Sequence, residues 1–350
     1  MAPVNNVCAV FNEVPSGYPI VGKTIIAKTE MIDLDNVSLN GGTLVRVLYL
    51  SIDPYLRGMM RDPSIKSYST PYQLGKSIWG YSLVSVIRSE LPDVENGDIR
   101  LVSKCPFQQY AVLPADELLR VIPHNLRVPL TAYLSILGMP GMTAFYGLEM
   151  VGKPKKGEVI YVSSGASAVG SLVIQLAKSK GLKVIASASS EEKVQFMKSI
   201  GADVSFSYKT ESIVDVLEKE GPIDIYWDNV GGSTLEAALA ACNTDGRVVL
   251  CGAISQYNST EEAYGVKTTR QILLKQLTVQ GFLVWKCEGQ YEGTCGNPVK
   301  FLQAVGPLVE SGQIKWTEQI LEGIDKVGEA VLAVQTGTST AKMNVKVTDP

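Results

Sequence analysis

From Glu158 to Lys193 the chain reads EVIYVSSGASAVGSLVIQLAKSKGLKVIASASSEEK, and few folds accommodate such a stretch. Val159 to Val162 is a short apolar run, the pattern of a strand buried in a parallel sheet. From Ser163 to Gly170 nothing larger than serine occurs except Val169, so an anion can approach the backbone closely. The following helix has Leu172, Val173, Leu176 and Ala177 on one face and directs its unbonded first N–H groups at that anion. Gly181 stops the helix, and Lys183 to Ala188 forms the next strand. Strand, small-residue turn, helix and strand in this order make a dinucleotide-binding βαβ unit and point to a redox enzyme. In the three-glycine fingerprint of such units, Ser164 and Ser167 take the first two places and Gly170 the last, with Gly165 between them and Ala168 and Val169 completing the turn. The alternative is a βα turn in another kind of α/β protein.

The second strand of the unit bears on the cofactor. A site selective for NAD places a carboxylate there to hold the ribose 2′-hydroxyl. This chain has Ser187, Ala188, Ser189 and Ser190, with Lys193 just beyond and Tyr208 ending the next strand-like run. Hydroxyls and a cation suit a 2′-phosphate, so the residues favour NADP. Glu191 and Glu192 fit the first turn of a helix, where the positive end of the dipole accommodates them.

At 350 residues the chain has room for about two domains. A net charge of −3 offers no electrostatic support for nucleic-acid binding. No apolar run approaches the roughly 20 residues of a membrane span, and the beginning MAPVNNVCAVFNEV has no basic segment followed by an apolar core. Six cysteines without a CxxC pair fit a reducing cytosol better than a disulfide scaffold. The single histidine, His124, reads as a turn residue in VIPHNL, and one isolated histidine with scattered cysteines does not make a catalytic zinc centre. No metal is expected.

Residues 1–130 read as short β segments broken by Gly, Pro and Asn/Asp turns, with strands at Thr43–Leu50, Ser82–Arg88 and Tyr110–Leu113. Residues 131–312 alternate strand and helix. Helices are expected over Glu191–Ile200, Glu211–Glu218, Ser233–Ala241 with Ser233 as N-cap, Thr268–Lys275, and Asn297–Ser311 with Val299, Leu302, Val305 and Val309 on its apolar side. Strands are expected at Val204–Tyr208, Ile223–Asp228, Arg247–Cys251 and Leu277–Val284. Residues 313–350, with strands at Trp316–Leu321 and Met343–Val347, return to the first domain. The fold class is α/β: a Rossmann-type doubly wound parallel sheet with a mainly antiparallel β domain.

Five segments, in order, resemble one family. SIDPYLRGMM (Ser51–Met60), LGMPGMTAFYGL (Leu137–Leu148), YWDNVGG (Tyr226–Gly232), GRVVLCGAISQYN (Gly246–Asn258) and VQGFLV (Val279–Val284) are similar to segments of the zinc-independent medium-chain dehydrogenase/reductases. Within them the likeness is to the NADP-dependent alkenal double bond reductases and the leukotriene B4 dehydrogenase/prostaglandin reductase group. The resemblance implies that the β domain is GroES-like. It places Thr143 near the nicotinamide and its phosphates, Lys193 and Tyr208 on the 2′-phosphate with Ser189 nearby, and Asn229 and Cys251 against the cofactor. The backbone of Phe282, Leu283 and Val284 would bond the carboxamide, Tyr257 would sit by the nicotinamide ribose and substrate, and Tyr55 would line the substrate cleft. Two departures stand out. Ser167 replaces a glycine of the phosphate turn, and GTSTAK puts Ser339 and Ala341 where the family has the asparagine and glycine of GxNxGK. A serine replaces only part of an amide's bonding.

The implied reaction is metal-free hydride transfer from NADPH to the β-carbon of an α,β-unsaturated aldehyde or ketone. Tyr257 is a candidate proton or hydrogen-bond donor, or else a packing residue; Tyr55 reads as a wall. Asp53 and Arg57, flanking Tyr55, are expected to pair locally. Lys286–Pro298 either covers substrate or rims an interface. A quinone reductase of the same superfamily and a non-catalytic NADPH-binding protein are the rivals. The resemblance also implies a homodimer, with LTVQGFLV as a sheet edge open to pairing.

Overall fold

The computed structural model describes residues 2–115, 117, 119–123, 127–286 and 297–350. His124 and most of the Lys286–Pro298 loop lie outside the described residues. In chain order come β1 (Val4–Phe11), β2 (Ile25–Ile32), β3 (Thr43–Ser51), α1 (Leu56–Met59), β4 (Trp79–Ser89), β5 (Ile99–Pro106), β6 (Tyr110–Leu113) and β7 (Leu119–Val121). Next are α2 (Met139–Gly147), β8 (Val159–Val162), α3 (Ala168–Ser179), β9 (Lys183–Ala188), α4 (Glu191–Ser199), β10 (Val204–Ser207), α5 (Ile213–Glu220), β11 (Ile223–Asp228), α6 (Gly232–Ala241), β12 (Cys242–Leu250), α7 (Arg270–Leu274), β13 (Thr278–Gly281) and α8 (Pro298–Glu310). The chain ends with β14 (Glu318–Glu322), α9 (Val327–Thr336) and β15 (Lys342–Lys346). Met1–Leu134 with Glu318–Pro350 forms one compact unit and Ser135–Thr317 the other.

In the second unit six parallel strands lie in the order β10-β9-β8-β11-β12-β13. Sequential β-α-β crossovers run outward from β8 in one direction and outward from β11 in the other, so the order reverses between β8 and β11. A crevice opens at the carboxyl ends of strands at such a reversal. Tyr161, Ile185, Phe206, Tyr226 and Val248 fill one core cluster. The rings of Tyr161 and Tyr226 stack at 5.1 Å, with Phe206 stacked at 6.3 Å on the other side of Tyr161.

Several sequence expectations change here. Ser233 does not cap α6; Gly231 does, at φ 72°, followed by Gly232 at φ 56°. Two successive left-handed residues make that corner, which glycine enters without a Cβ clash, and Ser233 falls inside the first turn. The strand expected over Arg247–Cys251 is β12, which starts at Cys242 and ends at Leu250. The last strand stops at Gly281 rather than Val284. Phe282 still donates its N–H to the carbonyl of Leu250 (3.0 Å), but the chain then coils into a short turn over Val284–Lys286. In α8 the buried side chains are Phe301, Val305 and Val309, while Val299 is 59% exposed. Asn297 caps that helix, its Oδ1 accepting from Val299 N at 2.9 Å.

The first unit contains the sheet β14-β15-β3-β4-β5-β7, with β6 also on β3 and a separate β1–β2 hairpin; β14 and β15 pair in parallel and the rest antiparallel. Val45, Val47, Val84, Val102 and Val345 face a common core that also receives Val327, Ala330 and Val331 from α9. That helix was not anticipated, although its apolar residues at 327, 330, 331 and 334 keep helical spacing. Nor does Asp53 take Arg57 as the partner that anchors it. Asp53 pairs with Lys342 (3.1 Å, both side chains 4% exposed) and accepts from Ser51 Oγ at 2.6 Å. Arg57 donates to the carbonyls of Gly17 (2.8 Å) and Pro15 (3.3 Å). No helix among the described residues is long and apolar enough to cross a membrane, and Cys8, Cys105, Cys242 and Cys251 are free thiols.

Candidate active site

The phosphate turn is built on close backbone contacts. Ser164 adopts φ 52°, and Gly165 donates its N–H to Ser187 O at 2.9 Å, tying the turn to β9. A Cβ on Gly165 would lie 2.6 Å from the Met197 sulfur, and one on Gly170 would lie 2.5 Å from the carbonyl oxygen of Ser164. The two positions that tolerate no side chain are thus Gly165 and Gly170. Counted as G-x-G-x-x-G, the three places are Gly165, Ser167 and Gly170. Ser167, the departure from glycine, has its own task. It is the N-cap of α3, and its Oγ accepts from Gly170 N at 3.0 Å. The N–H groups of Ala168 and Val169 have no protein acceptor among the described residues, leaving two donors at the positive end of the helix for an anion.

The carboxyl end of β9 carries hydroxyls and cations. Ser187 Oγ lies 2.8 Å from Tyr161 Oη within the sheet, so it is occupied by the core and is not presented to a ligand. Ser190 caps α4. Lys193 Nζ donates to Ser189 Oγ at 3.2 Å. Burial lowers the pKa of Lys193, the neighbouring charge of Lys209 lowers it further, and Glu192 opposes both. Two ammonium groups near enough to repel, beside serine hydroxyls, suit a dianion. Tyr208, 46% exposed, follows directly, its N–H bonded to Ala188 O at 3.1 Å.

At the carboxyl ends of β11, β12 and β13 a cavity of about 540 Å³ is lined mainly by apolar groups, with Asp228, Gln256, Tyr257 and Gln280 as its polar members. Cys251, Phe282 and Leu283 also line it. Its floor is two loops knitted by backbone. Cys251 N and Gly252 N both donate to Asp228 O (2.9 and 3.0 Å), and Ser255 N donates to Val230 O (3.1 Å). A Cβ on Gly252 would stand 3.3 Å from both Asn229 O and Tyr257 Oη. Tyr257 Oη accepts from Ala253 N at 3.2 Å, a bond that does not use the hydroxyl's own proton. Burial, then the charge of Asp228, push the Cys251 thiol up to about 12.

Asp228 is 1% exposed. Its Oδ1 accepts from Tyr226 Oη (2.7 Å), Val230 N (2.9 Å) and Gly231 N (2.8 Å). Burial raises its pKa and these donors act against the rise. Tyr226 Oη also lies 3.1 Å from Ser163 Oγ, which accepts from Asn229 N at 3.0 Å. Asn229 Nδ2 donates to Ser163 O (2.7 Å) and its Oδ1 accepts from Trp227 Nε1 (3.2 Å). The amide thus bridges β8 and β11 across the reversal point.

The remaining sequence candidates lie elsewhere. Thr143 is buried in α2, its Oγ1 donating to Met139 O at 2.8 Å. Val284 is buried just past the cavity-lining residues. Tyr55 and Ser339 belong to the first unit. Tyr55 opens α1, and its hydroxyl pKa is driven well up by burial, then by Asp53, Tyr72 and Tyr81, against a backbone hydrogen bond from Tyr81. Ser339 follows α9, its N–H bonded to Ala333 O at 3.2 Å.

Comparison with known proteins places the chain in a family. Residues 9–121 match the family model described as the N-terminal domain of oxidoreductase, and residues 168–295 that described as zinc-binding dehydrogenase. The 2-alkenal reductase (NADP(+)-dependent) of Nicotiana tabacum is 35% identical, covering 98% of both chains. The (+)-pulegone reductase of Mentha piperita is 37% identical over 88% of both. The crystal structure of CurA in complex with NADPH from Vibrio vulnificus superposes with a TM-score of 0.86 at 31% identity, covering 99% of this chain and 100% of that one. The chain belongs to the medium-chain dehydrogenase/reductases, in the alkenal double bond reductase group.

For a medium-chain dehydrogenase/reductase described by a zinc-binding model, the metal question is local. Among the described residues no three His, Cys, Asp or Glu side chains gather as a metal site. Sequence reading missed Asp228, Tyr226 and Ser163 as one network, and Gln256, Gln280 and Lys209 as neighbours of the site. For the network a signal existed: Tyr226 and Asp228 are polar positions in an otherwise apolar strand, IDIYWD, and buried polar groups require partners.

Proposed function

We propose that this reductase saturates the carbon–carbon double bond of α,β-unsaturated aldehydes or ketones at the expense of NADPH. The observation that supports the reading is the cavity at the carboxyl ends of β11, β12 and β13, whose described lining is apolar apart mainly from Asp228, Gln256, Tyr257 and Gln280. Such a pocket suits a conjugated carbonyl compound, whose reaction needs orientation, exclusion of water and a donor at one oxygen. The nucleotide fits as well. Gly165 and Gly170 let the turn fold tightly, since a Cβ there would strike Met197 and the carbonyl of Ser164; the first turn of α3 leaves donors for the pyrophosphate, and Ser189, Lys193 and Tyr208, joined by Lys209, are assigned to the 2′-phosphate. Bound NADPH supplies the hydride.

The protein's own part is placement and electrostatics. Asn229 and the Cys251–Tyr257 loop, knitted as one floor, hold the reduced ring and the substrate in register. Tyr257 is assigned the hydrogen bond to the carbonyl oxygen, where negative charge develops. Thr143, Cys251 and the Phe282–Val284 segment are assigned to the nicotinamide end, Ser339 to the cofactor, and Tyr55 to the substrate wall. β13 is the edge of its sheet, and its pairing with the same strand of a second copy would make a homodimer; light scattering that gave a monomer mass at micromolar protein would contradict this.

The decisive assay follows NADPH consumption with a panel of enals and enones, beside NADH and simple quinones. Enal-dependent oxidation of NADPH with the saturated carbonyl as product is expected. Turnover of quinones alone, or tight NADPH binding with no enal or enone reduced, would overturn the reading.

A further inference from the structure

Asp228 carries the only carboxyl group, and there is no Lys or Arg, among the described residues that line the cavity. A phenol and two backbone N–H groups donate to its Oδ1, and the Ser163 hydroxyl also acts on the carboxyl. Every partner is a neutral donor. They hold a carboxylate in place and leave its net charge uncompensated. That charge reaches the cavity wall, where Asp228 contributes to the raised pKa of Cys251. A buried carboxylate without a cationic partner is costly to keep. A strand corner that only needed its Val230 and Gly231 N–H groups satisfied could use a neutral asparagine.

We propose that the Asp228 carboxylate sets the redox bias of the cavity, stabilising the oxidised nicotinamide relative to the reduced one and so favouring release of hydride to the substrate. The inference rests on the nicotinamide end occupying this cavity, as assigned above. The oxidised ring carries one more positive charge than the reduced ring, while the rest of the cofactor is unchanged. A fixed negative charge in the wall therefore discriminates between the two forms and not between their adenosine ends. Across several ångströms of partly desolvated cavity one such charge is worth on the order of tenfold to a hundredfold in an equilibrium constant. Tyr226 and Ser163 act behind it as positioning residues.

The test is binding. Asp228→Asn keeps an oxygen for Tyr226 Oη, Val230 N and Gly231 N and removes the charge. Dissociation constants for NADP+, NADPH and adenosine 2′,5′-bisphosphate are measured for wild type and variant by titration calorimetry. The expected result is a loss of about tenfold or more in NADP+ affinity relative to NADPH, with adenosine bisphosphate unchanged. Equal weakening of NADP+ and NADPH would mean that Asp228 only shapes the loop and would overturn the proposal, as would an unchanged ratio. Tyr226→Phe, which keeps the charge and removes one donor, is expected to leave the NADP+/NADPH ratio within twofold. Should Asp228→Asn fail to fold, Asp228→Ser gives the same ratio without the charge. These measurements do not require turnover. Absence of enal reduction by wild type would sink the enone reading alone, and an unchanged ratio in an enzyme that reduces enals would sink only this one.

Discussion

Removing the Lys342 side chain beyond its methylene stem tests how the first unit is held together. The Lys342 ammonium has three protons and three acceptors: Asp53 Oδ1 at 3.1 Å, Ile52 O at 3.0 Å and Met343 O at 2.9 Å. Burial pulls the lysine's pKa down, and Asp53 opposes that fall without cancelling it, as expected where a buried pair carries a large desolvation cost. In Lys342→Met the methionine fills the same channel, but Asp53 remains buried with Ser51 Oγ as its remaining short partner and two carbonyls lose their donor. Breaking a buried pair from one side costs about 3–5 kcal/mol. At about 2–4 °C per kcal/mol for a domain of 150–250 residues, the first unit should melt roughly 6–20 °C lower. Replacing both partners, Lys342→Met with Asp53→Leu, should recover most of that loss, because apolar groups of similar volume are often as stable as the pair they replace. Hydrogen-exchange protection of β3 and β15 along a urea series separates this unit from the other. A single variant within 1 kcal/mol of wild type, or a double variant less stable than the single, would refute the reasoning.

Four further outcomes are expected. Lys193→Ala should raise the dissociation constant of NADPH about 10- to 150-fold, from the loss of about 1.5–3 kcal/mol of charge-assisted hydrogen bonding, and leave NADH binding unchanged; an equal effect on both would remove Lys193 from the 2′-phosphate. Gly170→Ala forces a Cβ to 2.5 Å from Ser164 O, so a loss of about 1–3 kcal/mol in stability should accompany weaker NADPH binding, read by melting and by cofactor fluorescence. Tyr257→Phe should lower kcat with an enal about 100-fold with KM little changed, the scale of one oxyanion donor; retention of full kcat would leave Tyr257 a packing residue. With its thiol raised to about 12, Cys251 is thiolate only as pH approaches that value. Its alkylation by iodoacetamide at pH 7, followed by peptide mass, should be about 10³-fold slower than that of an ordinary thiol near 8.5 and should rise about tenfold per pH unit.

The helix α3, its small-residue turn and the flanking strands were legible because each is a local pattern. Val159–Val162 is apolar throughout, α3 repeats its apolar residues at helical spacing, and Gly165 and Gly170 mark close contacts that admit no Cβ. The serines and lysine at the end of β9 were legible for the same reason, since charge and hydroxyl chemistry are properties of residues and not of packing. At the Gly231–Gly232 corner local pattern favours Ser233 as the cap, because a serine before an apolar helix is the commoner cap, and only the backbone direction between β11 and α6 demands two residues with positive φ. The apolar stripe of α9 was visible but followed no strand–helix rhythm.

Pairings between distant residues had no such signal. Lys342 meets Asp53 because β15 lies antiparallel to β3, and no spacing rule reaches across 289 positions of sequence. Asp228 is removed from water beside a network that exists because β8 and β11, far apart in the chain, lie side by side at the reversal point and bring Ser163 and Asn229 together. Local composition carries the periodicities, the small-residue turn before α3, and the hydroxyls and lysine that follow β9. Which side chains share a cavity, and how deeply each is removed from water, comes from the fold, because burial and long-range pairing depend on strand order and not on local composition.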